Sequence, residues 1–439
     1  MIQFRFFFFV LGGIFIFTQM AQATTSQQEL TALKEQLKLL MQRIETLEKN
    51  QKASQGGLSE PQKPIAKVSD LPKPPVPLQV VSGNNKVQLA LSGQVNRFVS
   101  FDDNGKNSQV SHKDNSFSST RLNFTGRGAL NDETTVSGVV EVEIRSDPSL
   151  TRDIGTASDA SSSVFLRERR LEAIFDHKRY GKLWLGQGPM ASDSTSEVDY
   201  SGTDVITSGS EIQDQAGGVK FFNKRTKQKD ARTIATVYDN YGQGFRQDRV
   251  RYDTPNFKGF VFGASHATRD IVDASLKYAG EVGKTKFGAA VAVAKNPFSG
   301  STRKGWEQYN GSASVLFQNG ISFMGAVGQR KFKDKGRDPG KYWYGKVGYQ
   351  FNYFEIGKTA FAIDYAWSKA IADDTSFTLA DFKVINTERF NSYGLVAVQS
   401  LDSVATEVYA AARTHQLKRR GDWFHKILSF VAGVRVKIL

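Results

Sequence analysis

The chain contains no cysteine, and its five histidines, His112, His177, His266, His415 and His425, are scattered through the sequence. The first absence excludes a disulfide scaffold and any thiol chemistry. The second leaves no His-x-x-x-His or comparable spacing to hold a metal. A nucleophile elbow and a phosphate-binding glycine loop are missing too, so nothing marks a catalytic set, a cofactor or a metal. Long apolar runs are also scarce. After the first twenty residues no stretch of 18 apolar residues occurs, which excludes an ordinary transmembrane helix. Proline is sparse, and six of the eleven prolines fall between Pro61 and Pro77.

Aromatic residues and glycine are plentiful, with 32 Phe, 14 Tyr and 39 Gly. The formal net charge is +14. A basic chain can bind nucleic acid, but the N-terminus directs this one out of the cytoplasm. Arg5, an apolar stretch from Phe6 to Phe17 and the small-residue pattern Ala21-Gln22-Ala23 read as a secretory signal peptide covering residues 1–23. Cleavage is expected between Ala23 and Thr24.

Residues 24–50 carry a heptad stripe. Leu30, Leu37 and Ile44 take one core position, and Leu33, Leu40 and Leu47 take the other. Ser26 and Glu29 form a capping box at the start. A helix this short is marginal alone and needs partners to bury its stripe. Arg43 and Glu48 flank the Ile44/Leu47 pair and allow an interchain bridge across the core, so a trimeric coiled coil is expected. Residues 51–86, with the proline cluster, read as a semi-rigid linker.

From Val87 onward the period becomes two. Leu122, Phe124 and Gly126 alternate with Arg121, Asn123, Thr125 and Arg127. Val140, Val142 and Ile144 alternate with Glu141, Glu143 and Arg145. Such strands have one apolar and one polar face. Tight turns, at 131–133 and 318–320, alternate with long polar connections at 147–163, 188–215, 296–305 and 369–389. Short turns at one end and long loops at the other predict a transmembrane antiparallel β-barrel over residues 87–439, closed because lipid tolerates no unpaired strand edge. Eighteen candidate strands can be counted. Two of them, near 216–224 and 231–240, are short and irregular, and without them the number is sixteen.

Three fragments in order resemble the Gram-negative trimeric porin family: Ser119 to Gly126, Gly181 to Gln187, and Arg249 to Phe260. The last carries Arg249 and Arg251 on one face and Val250 and Tyr252 on the other, with Pro255 ending the strand. The resemblance spans Val87 to the end, and the heptad and linker resemble a branch with a periplasmic stalk. It implies a homotrimer in the bacterial outer membrane, bounded by lipid and lipopolysaccharide and passing small polar solutes, some of them anionic. The family closes on a terminal aromatic, whereas this chain ends Ile438-Leu439.

The resemblance also implies that the loop after the fifth strand folds into the channel. That loop carries Asp193, Glu197, Asp199, Asp204, Glu211 and Asp214 with no Lys or Arg. Arg121, Arg127, Arg145, Arg170, Arg249 and Arg251 are expected on the facing basic wall, giving a transverse field across a narrow gap. Arg167 and Arg169 fall on the opposite parity from Arg170 unless a bulge intervenes. A charge facing mid-bilayer lipid costs roughly 2–4 kcal/mol, so these two are expected near the rim or an intersubunit contact. A second reading makes the stalk a tether from the outer membrane to peptidoglycan.

Overall fold

The computed structural model describes residues 79–81, 86–156, 165–207, 210–213, 215–242, 246–297, 305–372 and 379–438. The signal-cleavage pair Ala23 and Thr24, the heptad positions Leu30, Leu33, Leu37, Leu40, Arg43, Ile44, Leu47 and Glu48, and the loop residue Asp214 lie outside that set.

Sixteen strands close into one antiparallel ring: β2 (Val87–Asp103), β4 (Arg121–Ala129), β5 (Thr134–Arg145), β6 (Phe165–His177), β7 (Gly181–Pro189), β10 (Arg246–Asp253), β11 (Phe260–Ala267), β12 (Ile271–Val282), β13 (Thr285–Asn296), β14 (Trp306–Leu316), β15 (Ile321–Phe332), β16 (Gly340–Phe354), β17 (Gly357–Lys369), β18 (Arg389–Leu401), β19 (Thr406–Arg419) and β21 (Ile427–Ile438). The seam closes where β2 pairs with β21, from Gly93 opposite Ile438 to Asp103 opposite Leu428. Two short strands complete the edges of the long β2. β1 (Gln79–Val81) pairs with its start, and β3 (Ser108–Asp114) with its upper half. β20 (Asp422–Trp423) continues the ladder at the end of β19.

The alternation in the sequence becomes an inside and an outside. Val95, Val99, Phe101, Phe124, Val140, Phe361, Ile363 and Phe430 are exposed on the outer wall, while Asn96, Ser100, Asp102, Glu143 and Ser429 are buried on the inner one. An exposed apolar face of this extent suits acyl chains rather than water. Aromatic rings band the outer wall at two heights. Near the short turns, Phe351 stacks on Tyr349 at 5.1 Å and on Phe361 at 5.9 Å. Further up, Trp343, Tyr365 and Tyr393 form a ladder across three strands with 4.7 Å between successive centroids. No described helix is long and apolar enough to cross a membrane; strands do the crossing.

The two irregular candidates stay out of the ring. β8 (Lys220–Asn223) and β9 (Gln228–Thr233) form a separate two-stranded sheet, followed by the short helix α1 (Ile234–Val237). The exposed run from Lys224 to Lys229 could not cross lipid, and the buried Val219, Phe221, Ile234 and Tyr238 turn toward the barrel interior instead. A second helix, α2 (Leu379–Ile385), lies in the β17–β18 connection.

Candidate pore and its lining

The connection between β7 and β10 enters the barrel and follows its inner wall. Its path is written in hydrogen bonds from loop backbone to inward side chains. The Ala191 amide donates to Ser265 Oγ at 2.8 Å and the Ser192 amide to Asp273 at 2.7 Å. Val198 and Tyr200 donate to Ser312 and Ser314 of β14 at 3.0 and 3.1 Å. Val205 offers its carbonyl to Asn115 Nδ2 at 2.9 Å. The small, hydroxyl-rich sequence lets the backbone lie close to the wall and satisfies its polar groups there.

The strongest attachment is Lys346 of β16. Its fully buried ammonium donates to Asp199 Oδ2 at 2.7 Å, the Thr207 carbonyl at 2.7 Å and Thr203 Oγ1 at 3.1 Å. Burial works against the charge on the Asp199 carboxyl, but Lys346 outweighs it and holds that carboxyl below its ordinary range. Asp193 lacks so close a cation, and burial pushes its carboxyl up. Glu197 accepts from Asn240 Nδ2 at 3.2 Å, and Asp204, largely exposed, lies 3.6 Å from Arg435. Glu211 is buried.

Beyond the loop, residues 216–242 build an apolar cluster inside the barrel. Phe221 and Tyr238 pack against Phe390, with centroids 6.5 and 5.7 Å apart, and Tyr342 meets Tyr238 at 6.0 Å. Loop and cluster together cover the inner wall from β11 round to β21. The arc from β4 to β10 is left facing them, and it is rich in arginine.

That arc is built by register. Arg121, Glu143 and Arg167 stand side by side on β4, β5 and β6. β6 contains a bulge, because Arg170 pairs with Glu141 while Glu168 pairs with the next residue, Val142. The extra residue, Arg169, reaches Glu141 at 2.6 Å and Glu143 at 3.8 Å. The bulge restores parity, so Arg167, Arg169 and Arg170 all turn inward. Strict alternation predicts Arg167 and Arg169 at the rim or a subunit contact; one inserted residue corrects that and removes the cost of a charge in lipid.

The arginines divide by their partners. Arg145 lies 3.0 Å from Glu143, and Arg170 donates to Glu172 at 2.5 Å. Arg249 is buried against Glu172 and the carbonyls of Gly186 and Pro189. Arg251 pairs with Asp253 at 2.9 Å and caps the Pro189 and Met190 carbonyls, so both fix the point where the loop leaves β7. Arg127 is exposed near the short turns, opposite Ser137. Arg121, Arg167 and Arg246 have no carboxylate within ion-pair distance among the described residues.

Lumen glycines serve as saddles. Gly186 stands in register between Glu172 and Arg249, and Gly394 between Asp364 and Arg413. A Cβ on Gly394 would come within 2.4–2.7 Å of the Arg413 guanidinium. Its absence lets Arg413 lie across β18 and form two bonds to Asp364, at 2.6 and 2.7 Å. None of Lys346, Arg413, Asp364 or Arg246 stands out on composition. The available signal is charge of opposite sign on inward positions two or three strands apart, which needs the register to be seen.

Between loop and arginine arc lies a cavity of about 700 Å³. One side carries Arg145, Arg167, Arg169 and Arg246, and the other Glu211, Gln213, Tyr238 and Asp239. Among the described residues no group of three or more His, Asp or Glu side chains converges to hold a metal.

Residues 78–420 match the family model described as Gram-negative porin. No curated protein sequence matches. Among solved structures, the anion-selective porin from Comamonas acidovorans superposes with a TM-score of 0.52 at 17% identity, covering 80% of this chain and 100% of that one. The outer membrane channel DcaP of Acinetobacter baumannii gives 0.52 at 10% identity, covering 81% and 99%. The trimer form of OmpT, an outer membrane protein of Vibrio cholerae, gives 0.51 at 13% identity, covering 80% and 99%. At such identities the likeness is one of fold.

Proposed function

Since the chain belongs to the Gram-negative porin family and is an outer-membrane β-barrel channel, we propose that it is a trimeric diffusion porin that passes small polar solutes, with a preference for anions, between the folded-in loop and the arginine arc. The observation that carries this reading is the cavity bounded by guanidinium groups on one side and by the loop on the other. Low-dielectric walls focus the field of such groups across a narrow gap. Among the described residues, three guanidiniums of the arc have no carboxylate within ion-pair distance, whereas Asp199 and Asp204 of the loop are matched by Lys346 and Arg435. Arg145, Arg167, Arg169, Arg246 and Lys220 line the gap against Asp153, Glu211 and Asp239, so basic groups outnumber acidic ones there, which favours anions.

The threefold assembly rests on the heptad positions from Leu30 to Glu48 and on the family. The trimer form of the Vibrio protein is a precedent for the same fold. The stalk would stand in the periplasm with its signal segment removed after Ala23, and its proline linker gives it the reach to touch peptidoglycan. Lipid and lipopolysaccharide would surround the barrel.

Planar-bilayer recording tests the proposal. Purified protein in a potassium chloride gradient is expected to insert in three equal conductance steps, with a reversal potential of the sign for anion preference. Single steps would rule out the trimer, and the opposite sign would rule out the arginine arc as the selective element.

A further inference from the structure

The β8–β9 hairpin lies at the long-loop end of the barrel as a separate sheet, and β8 is bridged to the chain after β20 where Asn223 stands opposite Phe424. Its first strand is held by packing and by backbone bonds: Phe221 meets Phe390 and Phe424 edge-on, at 6.5 and 6.2 Å, the Lys224 amide donates to the Trp423 carbonyl at 2.7 Å and the His425 amide to the Phe222 carbonyl at 3.0 Å. Its second strand is held by charge, and the charge converges on Arg419 at the end of β19. Both terminal nitrogens of Arg419 donate to Asp230 of β9, at 2.8 and 3.0 Å. Nε and Nη2 donate to Glu388 of the β17–β18 connection at 3.0 and 2.8 Å. Arg232, also on β9, donates to the same Glu388 at 2.9 Å. The Arg419 guanidinium lies over Phe424 at 5.0 Å, and its side chain is only 9% exposed.

One planar fork thus joins the hairpin, the β17–β18 connection and the end of β19. The end of β9 and the chain after it place Thr233, Ala235 and Thr236 on the cavity that Arg167 and Arg246 also line. The hairpin's position therefore sets one side of the passage.

We propose that the β8–β9 hairpin is a lid over part of the channel mouth and that Arg419 is the positioning residue holding it at a fixed distance from the arginine arc. The assignment rests on the reading that this cavity conducts. A guanidinium suits the task because its rigid fork engages two carboxylates at once, which a lysine ammonium cannot reproduce. Being mostly withdrawn from water, the clasp is weakly screened by salt. The Arg419 bond also outweighs burial at Asp230 and keeps that carboxyl ionised below its ordinary range. With the clasp intact the mouth holds one width; with it broken, β9 keeps its pairing with β8 and Lys229 on Asp153, and moves about those two attachments toward the passage.

The test is single-channel recording of the full-length protein carrying Arg419→Gln, Arg419→Lys or Asp230→Asn, with barrel folding checked by heat-modifiable gel mobility. Arg419→Gln is expected to raise open-channel current noise and brief closures several-fold, with Arg419→Lys recovering part of the quiet behaviour. Asp230→Asn removes the hairpin's own share of the clasp and is expected to act in the same direction; it serves as the measure if Arg419→Gln does not fold. Folded variants as quiet as the wild type would overturn the lid. A wild-type protein that does not conduct would instead overturn the channel reading on which it rests.

Discussion

Nine arginines of the arc look alike in a sequence, yet their neighbours give them different work. Arg249 sits in a buried pair with Glu172 and also caps two carbonyls, so its charge is spent inside the wall. Arg167 and Arg246 line the cavity with no carboxylate within ion-pair distance among the described residues, so they are placed to meet a passing solute. Replacing both with Gln is expected to move the reversal potential toward cations while leaving barrel folding intact. Arg249→Gln is expected to do the reverse, because Glu172 keeps Arg170 but loses its second arginine, and the Gly186 and Pro189 carbonyls lose their donor: reduced thermal stability of the folded barrel, with selectivity unchanged where it folds. A selectivity shift from Arg249→Gln equal to that of the double variant would refute this division.

At the scale of elements, the loop between β7 and β10 behaves as an inner lining pinned at a few points rather than as a free constriction. Lys346 is the pin with the most bonds. Lys346→Met would leave Asp199 buried without its cation, at a cost of about 3–5 kcal/mol, and release the loop from β16. Larger unit conductance and a lower unfolding temperature are expected; an unchanged conductance in a folded variant would show that the loop is held elsewhere. The pH dependence has a definite sign. Because the Asp199 carboxyl is held below its unfolded value of about 3.9, the pair contributes fully above that value and is lost only as pH falls through the lower folded one. Mild acid should therefore leave the pin in place. Asp193, pushed the other way by burial, gains its proton first as pH falls.

For the whole molecule, the stalk and the barrel separate cleanly as questions. Removing residues 24–86 is expected to leave channels of normal unit conductance, because the ring from β2 to β21 closes by its own pairing. The same deletion is expected to weaken the trimer, seen as a shift toward single conductance steps, and to lower envelope integrity if the stalk reaches peptidoglycan. Loss of conductance in the deleted protein would show that the N-terminal segment is needed to form the barrel. The apolar outer wall with its two aromatic bands, and the polar inner wall, both follow from strand alternation, as a closed barrel in lipid demands.

The two-residue period and the asymmetry of turn lengths by themselves determined the barrel and which side chains of Leu122–Arg127 or Val140–Arg145 share a face, because the pleat permits only one answer. The aromatic content and the position of the long acidic loop after the fifth strand were equally legible. Three things waited for the tertiary structure. Strand number came down to sixteen because the 216–240 segment buries its apolar side inside the barrel and cannot put Lys224–Lys229 through lipid. The orientation of Arg167 and Arg169 depended on one bulged residue, whose insertion flips parity without any local compositional mark. The partition of charge into fixed pairs and free guanidiniums, together with the Lys346 pin and the Arg419 clasp, joins residues as far apart in sequence as Asp204 and Arg435. Such pairs are set by register around a closed ring, and a linear pattern carries no trace of which strand becomes whose neighbour across the lumen.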